Sequence, residues 1–367
     1  MLQFDFERLS ALGLTPALAG RAASCAIEAS EANPGSRLWL ARITEVHRET
    51  LSLHDAHGEA VARAKPRLTR TLADDGTALS VGDWVMGQDD AYGDRWVVAR
   101  VAPVNHLARV DGYGLRHPVV SNVDVALLVM GQDDDFNPRR LERYLALTQR
   151  EGIVPVAVLT KLDVALAAGA PVDERIADLR ERIGRAIDVL AVDATDASAA
   201  TALCPYLEPG RTLVLLGSSG AGKSTLTNTL LGAGVQDTGP VRSSDGRGMH
   251  TTTARSLFRL PTGACIIDTP GIRTLRPDGD EATLAVTFSD IDALAAQCRF
   301  DDCRHEGEPG CAVRDAIDPD RLRNWRKLAR EMARGSMTPL DRRRQLAQWK
   351  ARGKEGIARM RMKRGEA

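Results

Sequence analysis

Gly217-Ser218-Ser219-Gly220-Ala221-Gly222-Lys223-Ser224 decides how this chain is read. The octapeptide fits G-x-x-x-x-G-K-[ST], a pattern that should arise by chance in roughly one per cent of chains this long. Its surroundings are those the mechanism requires. The apolar run Leu213–Leu216 leads in as a strand, and Thr225–Leu231 leads out as a helix. Glycines let successive backbone N–H groups face an anion, and the helix N-terminus adds positive potential. Lys223 would then reach the β- and γ-phosphates of a nucleotide, the Ser224 hydroxyl would ligate Mg2+, and Thr225 would close the phosphate-binding stretch. A tight strand-to-helix turn with a chance Lys-Ser pair is the plain alternative.

Downstream, the apolar run Ala264–Ile267 ends in Asp268-Thr269-Pro270-Gly271. A carboxylate at a strand's C-terminal end is where a second Mg2+ contact belongs, and the Gly271 N–H would sense the γ-phosphate. Between the two lies Gly248-Met249-His250-Thr251-Thr252-Thr253, after the flexible run Ser243–Gly248. Thr251 or Thr252 would close over Mg2+ as an ordered-disordered switch; a polar loop whose threonines favour turns reads equally well.

Guanine selection needs a carboxylate facing the base's N1–H and 2-amino group, a donor pair that adenine lacks. Nothing after Gly271 supplies Asn-Lys-x-Asp. Upstream, Val154–Leu159 runs into Thr160-Lys161-Leu162-Asp163, with Thr160 where Asn is usual. Lys161 would lie over the base plane and Asp163 would select guanine. Asp193-Ala194, after the next apolar run, would supply a backbone N–H to guanine O6. Base recognition therefore precedes the phosphate loop, a rotated order that still builds one pocket because strand adjacency and not chain order makes it.

The rest of the chain divides by rhythm. Leu38–Val46, Thr50–Asp55, Ala60–Ala64, Trp84–Gln88 and Arg95–Val101 are short candidate strands separated by turn residues, which suits a small closed barrel of the oligonucleotide-binding type. From Val119 onward buried strands (Val123–Met130, Val154–Leu159, Asp188–Val192, Thr212–Leu216, Ala264–Ile267) alternate with amphipathic stretches, as in a parallel sheet covered on both faces. Trp39, Trp84, Tyr92 and Trp96 in the barrel would either stack on bases or fill its core.

Cys298, Cys303, His305 and Cys311 place three thiols and one imidazole within 14 residues. That set suits tetrahedral Zn2+ in a closed structural site, with no position left for catalytic water. The 367-residue chain has zero formal net charge, yet residues 321–367 hold 16 Lys or Arg against 4 Asp or Glu. Such a basic end points to an anionic partner such as nucleic acid, or to a solvated helical surface. Arg321–Arg334 and Leu340–Arg352 read as helices divided by Pro339. No apolar run is long enough for a membrane span, and the N-terminus lacks the basic region of a secretory signal.

Taken together, Thr160–Asp163, Gly217–Ser224, Gly248–Thr253, Asp268–Gly271 and the Cys/His set resemble, in the same order, the circularly permuted, ribosome small-subunit-dependent GTPases of bacteria. The resemblance implies a multidomain α/β protein. It would comprise a leader (1–36), an oligonucleotide-binding barrel (37–112), a circularly permuted GTPase domain (113–278) and an α-helical zinc-binding domain with a basic extension (279–367). It also implies weak intrinsic GTP hydrolysis stimulated by the small subunit. The charge of the tail suggests proximity to rRNA, and the lack of a span or a secretory signal makes a cytoplasmic protein with no membrane partner, expected as a monomer, the default. The family lacks the water-orienting Gln after D-x-x-G, and Ile272 stands there in this chain. His250 matches the family's histidine before the switch threonines and is the expected catalytic group beside Lys223. An RNA-binding placeholder that uses GTP only as a conformational ligand, and an ATP-using P-loop kinase, are the competing readings. Asp163 separates the second of these from a guanine site.

Overall fold

The computed structural model describes residues 5–110, 116–184, 186–232, 234, 255–269 and 281–335. Five strands come first: β1 (Leu38–Val46), β2 (Leu51–Asp55), β3 (Glu59–Ala64), β4 (Trp84–Asp89) and β5 (Arg95–Arg100). β1 pairs with β2 on one side and β4 on the other, β2 with β3, β3 with β5 in parallel, and β5 with β4, which closes the barrel. Closure leaves no free edge to template aggregation. Ala41, Ile43, Leu53, Val85 and Val97 fill its interior. The expected strands match these within a residue or so at each end.

β1 is apolar on both faces. Ala41 and Ile43 point into the barrel, while Leu38 and Leu40 meet a helix over Pro16–Ala32. Thr15 caps that helix by accepting the Leu18 N–H at 3.3 Å, and Pro16 occupies the first turn, where its missing donor costs nothing. Leu18, Ala22, Ala26 and Ala29 line its buried face. The sequence reading leaves this segment as a leader, because an alanine stripe produces only a shallow periodic signal. A helix over Pro66–Asp74 and an antiparallel pair, β6 (His106–Val110) and β7 (Arg116–Ser121), are likewise absent from that reading.

The α/β sheet contains β8 (Val125–Gly131), β9 (Val154–Thr160), β10 (Asp188–Ala191), β11 (Thr212–Leu216), β12 (Ser256–Arg259) and β13 (Cys265–Asp268), in the order β10-β9-β8-β11-β13-β12. All neighbours are parallel except the edge strand β12. Every residue of β8 and β11 is buried, the continuous apolar pattern of strands covered on both faces. β12, unforeseen in the sequence, touches β1 at the Glu45–Ser256 pair, and the Ser256 hydroxyl donates to Glu45 Oε1 at 2.5 Å.

Four helices follow, over Glu281–Thr287, Ser289–Ala295, Ala312–Ala316 and Pro319–Gly335. Leu284, Phe288, Ile291, Val313, Leu322 and Leu328 form their core, which also takes in Ala146 from the helix Pro138–Arg150 beneath the sheet. The expected helix from Arg321 starts two residues earlier, at Pro319, and that expected over Leu340–Arg352 lies outside the described residues. Among the described residues no helix is long and apolar enough to cross a membrane.

Candidate nucleotide site and metal cluster

The loop Gly217–Gly222 links β11 to a helix over Lys223–Leu231. Two of its glycines are dictated by crowding. A Cβ on Gly217 would sit 2.4 Å from the Val129 carbonyl oxygen of β8, so only glycine lets the two backbones approach. Gly222 adopts φ +89 at the helix N-cap and faces the Thr160 side chain. The helix ends at Gly232, also left-handed, which donates to Asn228 and Thr229 carbonyls.

Lys223 is buried and its Nζ donates to the Ser218 carbonyl at 2.7 Å. Burial lowers its affinity for the proton, while Asp268 and then Asp135 act the other way. The Lys223 side chain is therefore buried against the loop, with the charges of Asp268 and Asp135 favouring its protonated form.

Asp268 ends β13 as expected, fully buried beside the phosphate loop. The Ser224 hydroxyl donates to its Oδ2 at 3.3 Å, whereas Oδ1 has no hydrogen-bond partner among the described residues. Burial raises the Asp268 carboxyl above its ordinary range, against the pull of Lys223. A buried carboxylate oxygen without a donor, next to a serine hydroxyl at a phosphate loop, suits a hard divalent cation such as Mg2+. The Thr269 hydroxyl donates to the Leu215 carbonyl at 2.6 Å and so ties the end of β13 to β11.

Base-recognition candidates arrive through β9. Thr160, fully buried, donates its hydroxyl to the Ala221 carbonyl at 2.6 Å and so ties the end of β9 to the phosphate loop. In place of a contact to the base's imidazole edge, this side chain has a tethering contact. Lys161 follows in the left-handed region, φ 60, capping the helix Leu162–Ala167. Asp163 is exposed in that helix's first turn, free to face a ligand. Asp193 folds back on Thr195, accepting its N–H at 2.8 Å and its hydroxyl at 2.7 Å. Ala194 is buried, and its carbonyl accepts from Thr229 of the phosphate-loop helix at 2.6 Å. Thr160, Ala194 and the phosphate loop are thus brought together by direct bonds. His250, Thr251, Thr252 and Gly271 lie outside the described residues.

The sequence reading passes over two acidic residues in the loop after β8. Asp133 Oδ2 lies 2.6 Å from Lys161 Nζ, and Asp135 accepts from the Ser218 hydroxyl. The run Gln132-Asp133-Asp134-Asp135 at the end of a buried strand was the available signal.

In the C-terminal helices, the ligand atoms of Cys298, Cys303, His305 and Cys311 all lie within 4.8 Å of one another. His305 Nδ1 is 3.6 Å from Cys298 Sγ and 3.4 Å from Cys311 Sγ. His305 itself takes φ +59, and its ring packs 5.4 Å from that of Trp325. Three sulfurs and one nitrogen converging in this way match the donor set and the closed geometry of structural zinc. Of the barrel aromatics, Trp84 is fully buried and Tyr92 is 95% exposed. Trp39 lies under Arg95 at 4.9 Å and Trp96 under Lys65 at 4.2 Å.

A family model described as RsgA GTPase matches residues 102–277. A protein of Xylella fastidiosa (strain 9a5c) named small ribosomal subunit biogenesis GTPase RsgA is 50% identical over 260 residues, 69% of this chain and 73% of that one. Its namesake in Xylella fastidiosa (strain M12) is 45% identical over 86% of this chain and 93% of its own. A third, from Xanthomonas axonopodis pv. citri (strain 306), is 46% identical over 80% of each. The crystal structure of YjeQ from Thermotoga maritima superposes with a TM-score of 0.58 at 23% identity, covering 81% of this chain and 99% of that one. YloQ, described as a circularly permuted GTPase, gives 0.54 at 23% identity, covering 83% and 99%. At that identity the two structures speak to the fold alone.

Proposed function

The chain belongs to the RsgA GTPase family, and on that footing we propose that it hydrolyses GTP to GDP and phosphate as a maturation checkpoint on the small ribosomal subunit. The observation that carries the site reading is the Ser224–Asp268 pair, 3.3 Å apart beside the phosphate loop, with a buried carboxylate oxygen left for a cation. Relatives named for small-subunit biogenesis supply the partner.

Catalysis here is mainly positioning and charge stabilisation. Lys223 would exchange the Ser218 carbonyl for the β- and γ-phosphate oxygens, and the N–H groups of Ser218–Thr225 would hold the rest of the phosphate chain. Ser224 and Asp268, with Thr251 or Thr252, would hold Mg2+, which would supply charge neutralisation to the phosphate chain. Asp163 would accept the guanine N1–H and 2-amino hydrogens, Lys161 would lie along the base, and the Ala194 N–H after Asp193 would meet O6. With Ile272 unable to hydrogen-bond water, His250 would orient the nucleophile once the particle sets it in place. Cys298, Cys303, His305 and Cys311 would hold one structural Zn2+, and the basic C-terminal residues would lie against rRNA. The protein acts as a monomer in the cytoplasm.

Steady-state phosphate release from GTP and ATP, with and without purified small subunits, tests this. GTP turnover should rise strongly with subunits and ATP turnover should not, and His250→Ala should abolish the rise while retaining GDP binding. Equal use of ATP would overturn the guanine site; GTP turnover indifferent to subunits would overturn the partner and the role of His250.

A further inference from the structure

The loop after β8 bonds to both halves of the nucleotide site. Asp135 accepts the Gly131 N–H at 3.2 Å, pairs with Arg140 at 2.6 Å and receives the Ser218 hydroxyl, so the loop is pinned to the sheet, to a helix and to the phosphate loop. Asp133 is oriented by this frame. Its Oδ1 accepts the Asp135 N–H at 3.2 Å, which leaves Oδ2 for Lys161 Nζ at 2.6 Å.

Gly131 makes that approach possible. A Cβ there would stand 2.5 Å from Asp133 Oδ1 and 3.4 Å from Lys161 Cδ. The Asp133 carboxyl sits below its ordinary range; burial would raise it, but Lys161 and the backbone N–H donors together outweigh burial. A wholly exposed ion pair contributes little, since water screens it and two long side chains lose freedom. Here the side chains are only 25% and 36% exposed, and the aspartate is already fixed by its backbone bond. The entropy cost therefore falls on the lysine alone, and it falls before any nucleotide arrives.

We propose that Asp133 is a positioning residue of the guanine subsite: it holds the Lys161 side chain extended along the face where the base docks. The inference rests on reading Thr160–Asp163 as the base-recognition segment. Asp133 contacts no nucleotide atom and acts through Lys161, so its effect must vanish when Lys161 is gone.

The experiment is a double-mutant cycle read by fluorescent GDP titration of the full chain. Asp133→Ala should weaken GDP roughly three- to tenfold, the range for one partly screened charge-assisted hydrogen bond. Asp133→Asn, which keeps an acceptor, should recover part of that loss. Gly131→Ala should reproduce the Asp133→Ala loss by forcing the pair apart. Adding Asp133→Ala to Lys161→Met should cost nothing further, and guanosine as competitor should weaken by the same factor as GDP. Additive losses from Asp133→Ala and Lys161→Met, with Asp163→Asn still crippling GDP binding, would overturn the role of Asp133 alone. If Asp163→Asn leaves GDP binding intact, the base-recognition reading itself falls.

Discussion

The α/β sheet is joined to the barrel through a buried cation and to the C-terminal helices through a buried anion. At the barrel joint, Arg42 is fully buried. Its guanidinium donates to Thr212 Oγ1 at 2.8 Å and the Asn122 carbonyl at 3.0 Å, and also to the carbonyls of Gly82 and Leu12. At the C-terminal joint, Glu142 is fully buried and pairs with Arg182 at 2.7 Å, with Arg321 and with Asn324. Arg139 and Arg182 reach Asp320, and Arg143 reaches Glu331. The cation is satisfied by three main-chain carbonyls, which no substitution can remove, and one threonine hydroxyl. The anion is satisfied by side chains, each replaceable. The barrel joint is therefore a fixed part of the fold, whereas the C-terminal joint is a set of pairs that can be edited or released.

The largest expected effect separates the two joints by metal. Chelating the ion proposed for Cys298, Cys303, His305 and Cys311 should unfold the C-terminal helices, as structural zinc contributes ~10 kcal/mol to small domains that depend on it. Helical circular dichroism should fall, while the barrel and sheet keep their protection against hydrogen exchange. Simultaneous loss of the barrel would show that the joints are not independent.

The next effect tests how each buried charge is satisfied. Arg42→Met should cost about 3–5 kcal/mol in urea unfolding, because it takes the donor from the Leu12 and Asn122 carbonyls in a buried joint, while Gly82 keeps the Asn122 amide. No second substitution should restore it. Glu142→Met should cost about 3 kcal/mol by leaving Arg321 and Arg182 without their buried partner, and adding Arg321→Met should recover most of that. Failure of this rescue would mean that the anion, too, depends on fixed partners.

The smallest effect is a difference in response to acid. Burial raises the Asp83 carboxyl beside the barrel joint, whereas at the other joint Arg321 and backbone N–H donors together outweigh burial and hold Asp290 below its ordinary range. A raised acid destabilises when ionised, and that cost is relieved as pH falls through its folded pKa. A depressed acid stabilises above its unfolded pKa, near 4, and loses that contribution as pH falls further. Asp83→Asn should therefore be favourable at pH 7 relative to wild type, with the advantage fading in acid. Asp290→Asn should be unfavourable at pH 7, with the deficit closing below about pH 4. Single-tryptophan variants that keep Trp84 or Trp325 report the two regions separately, and parallel pH profiles would contradict the contrast.

The nucleotide motifs were legible because their chemistry is local. Consecutive N–H groups, two crowded glycines and one lysine make a phosphate cradle wherever a strand meets a helix, so eight residues suffice. The Cys/His cluster was legible for the same reason, as four donors sit within a short span. Legibility failed where a role is defined by distant partners. Asp133 finds Lys161 at a separation of 28 residues, Asp135 finds Ser218 at 83, and Glu142 finds Arg321 at 179. The helix Pro16–Ala32 was missed because alanine gives too little contrast, and β12 because four residues hold too little pattern.

By itself the sequence determined the phosphate loop, the segment proposed to select guanine, the Cys/His cluster, the barrel strands and the rotated order, each encoded in contiguous residues whose backbone needs are intrinsic. Only the tertiary structure decided that Thr160 tethers β9 to the phosphate loop, that Asp133 holds Lys161, and that Arg42 and Glu142 join three regions with opposite charges. Burial and hydrogen bonding between remote residues depend on which strands lie side by side. That adjacency belongs to the packed sheet and is carried by no single stretch of the chain.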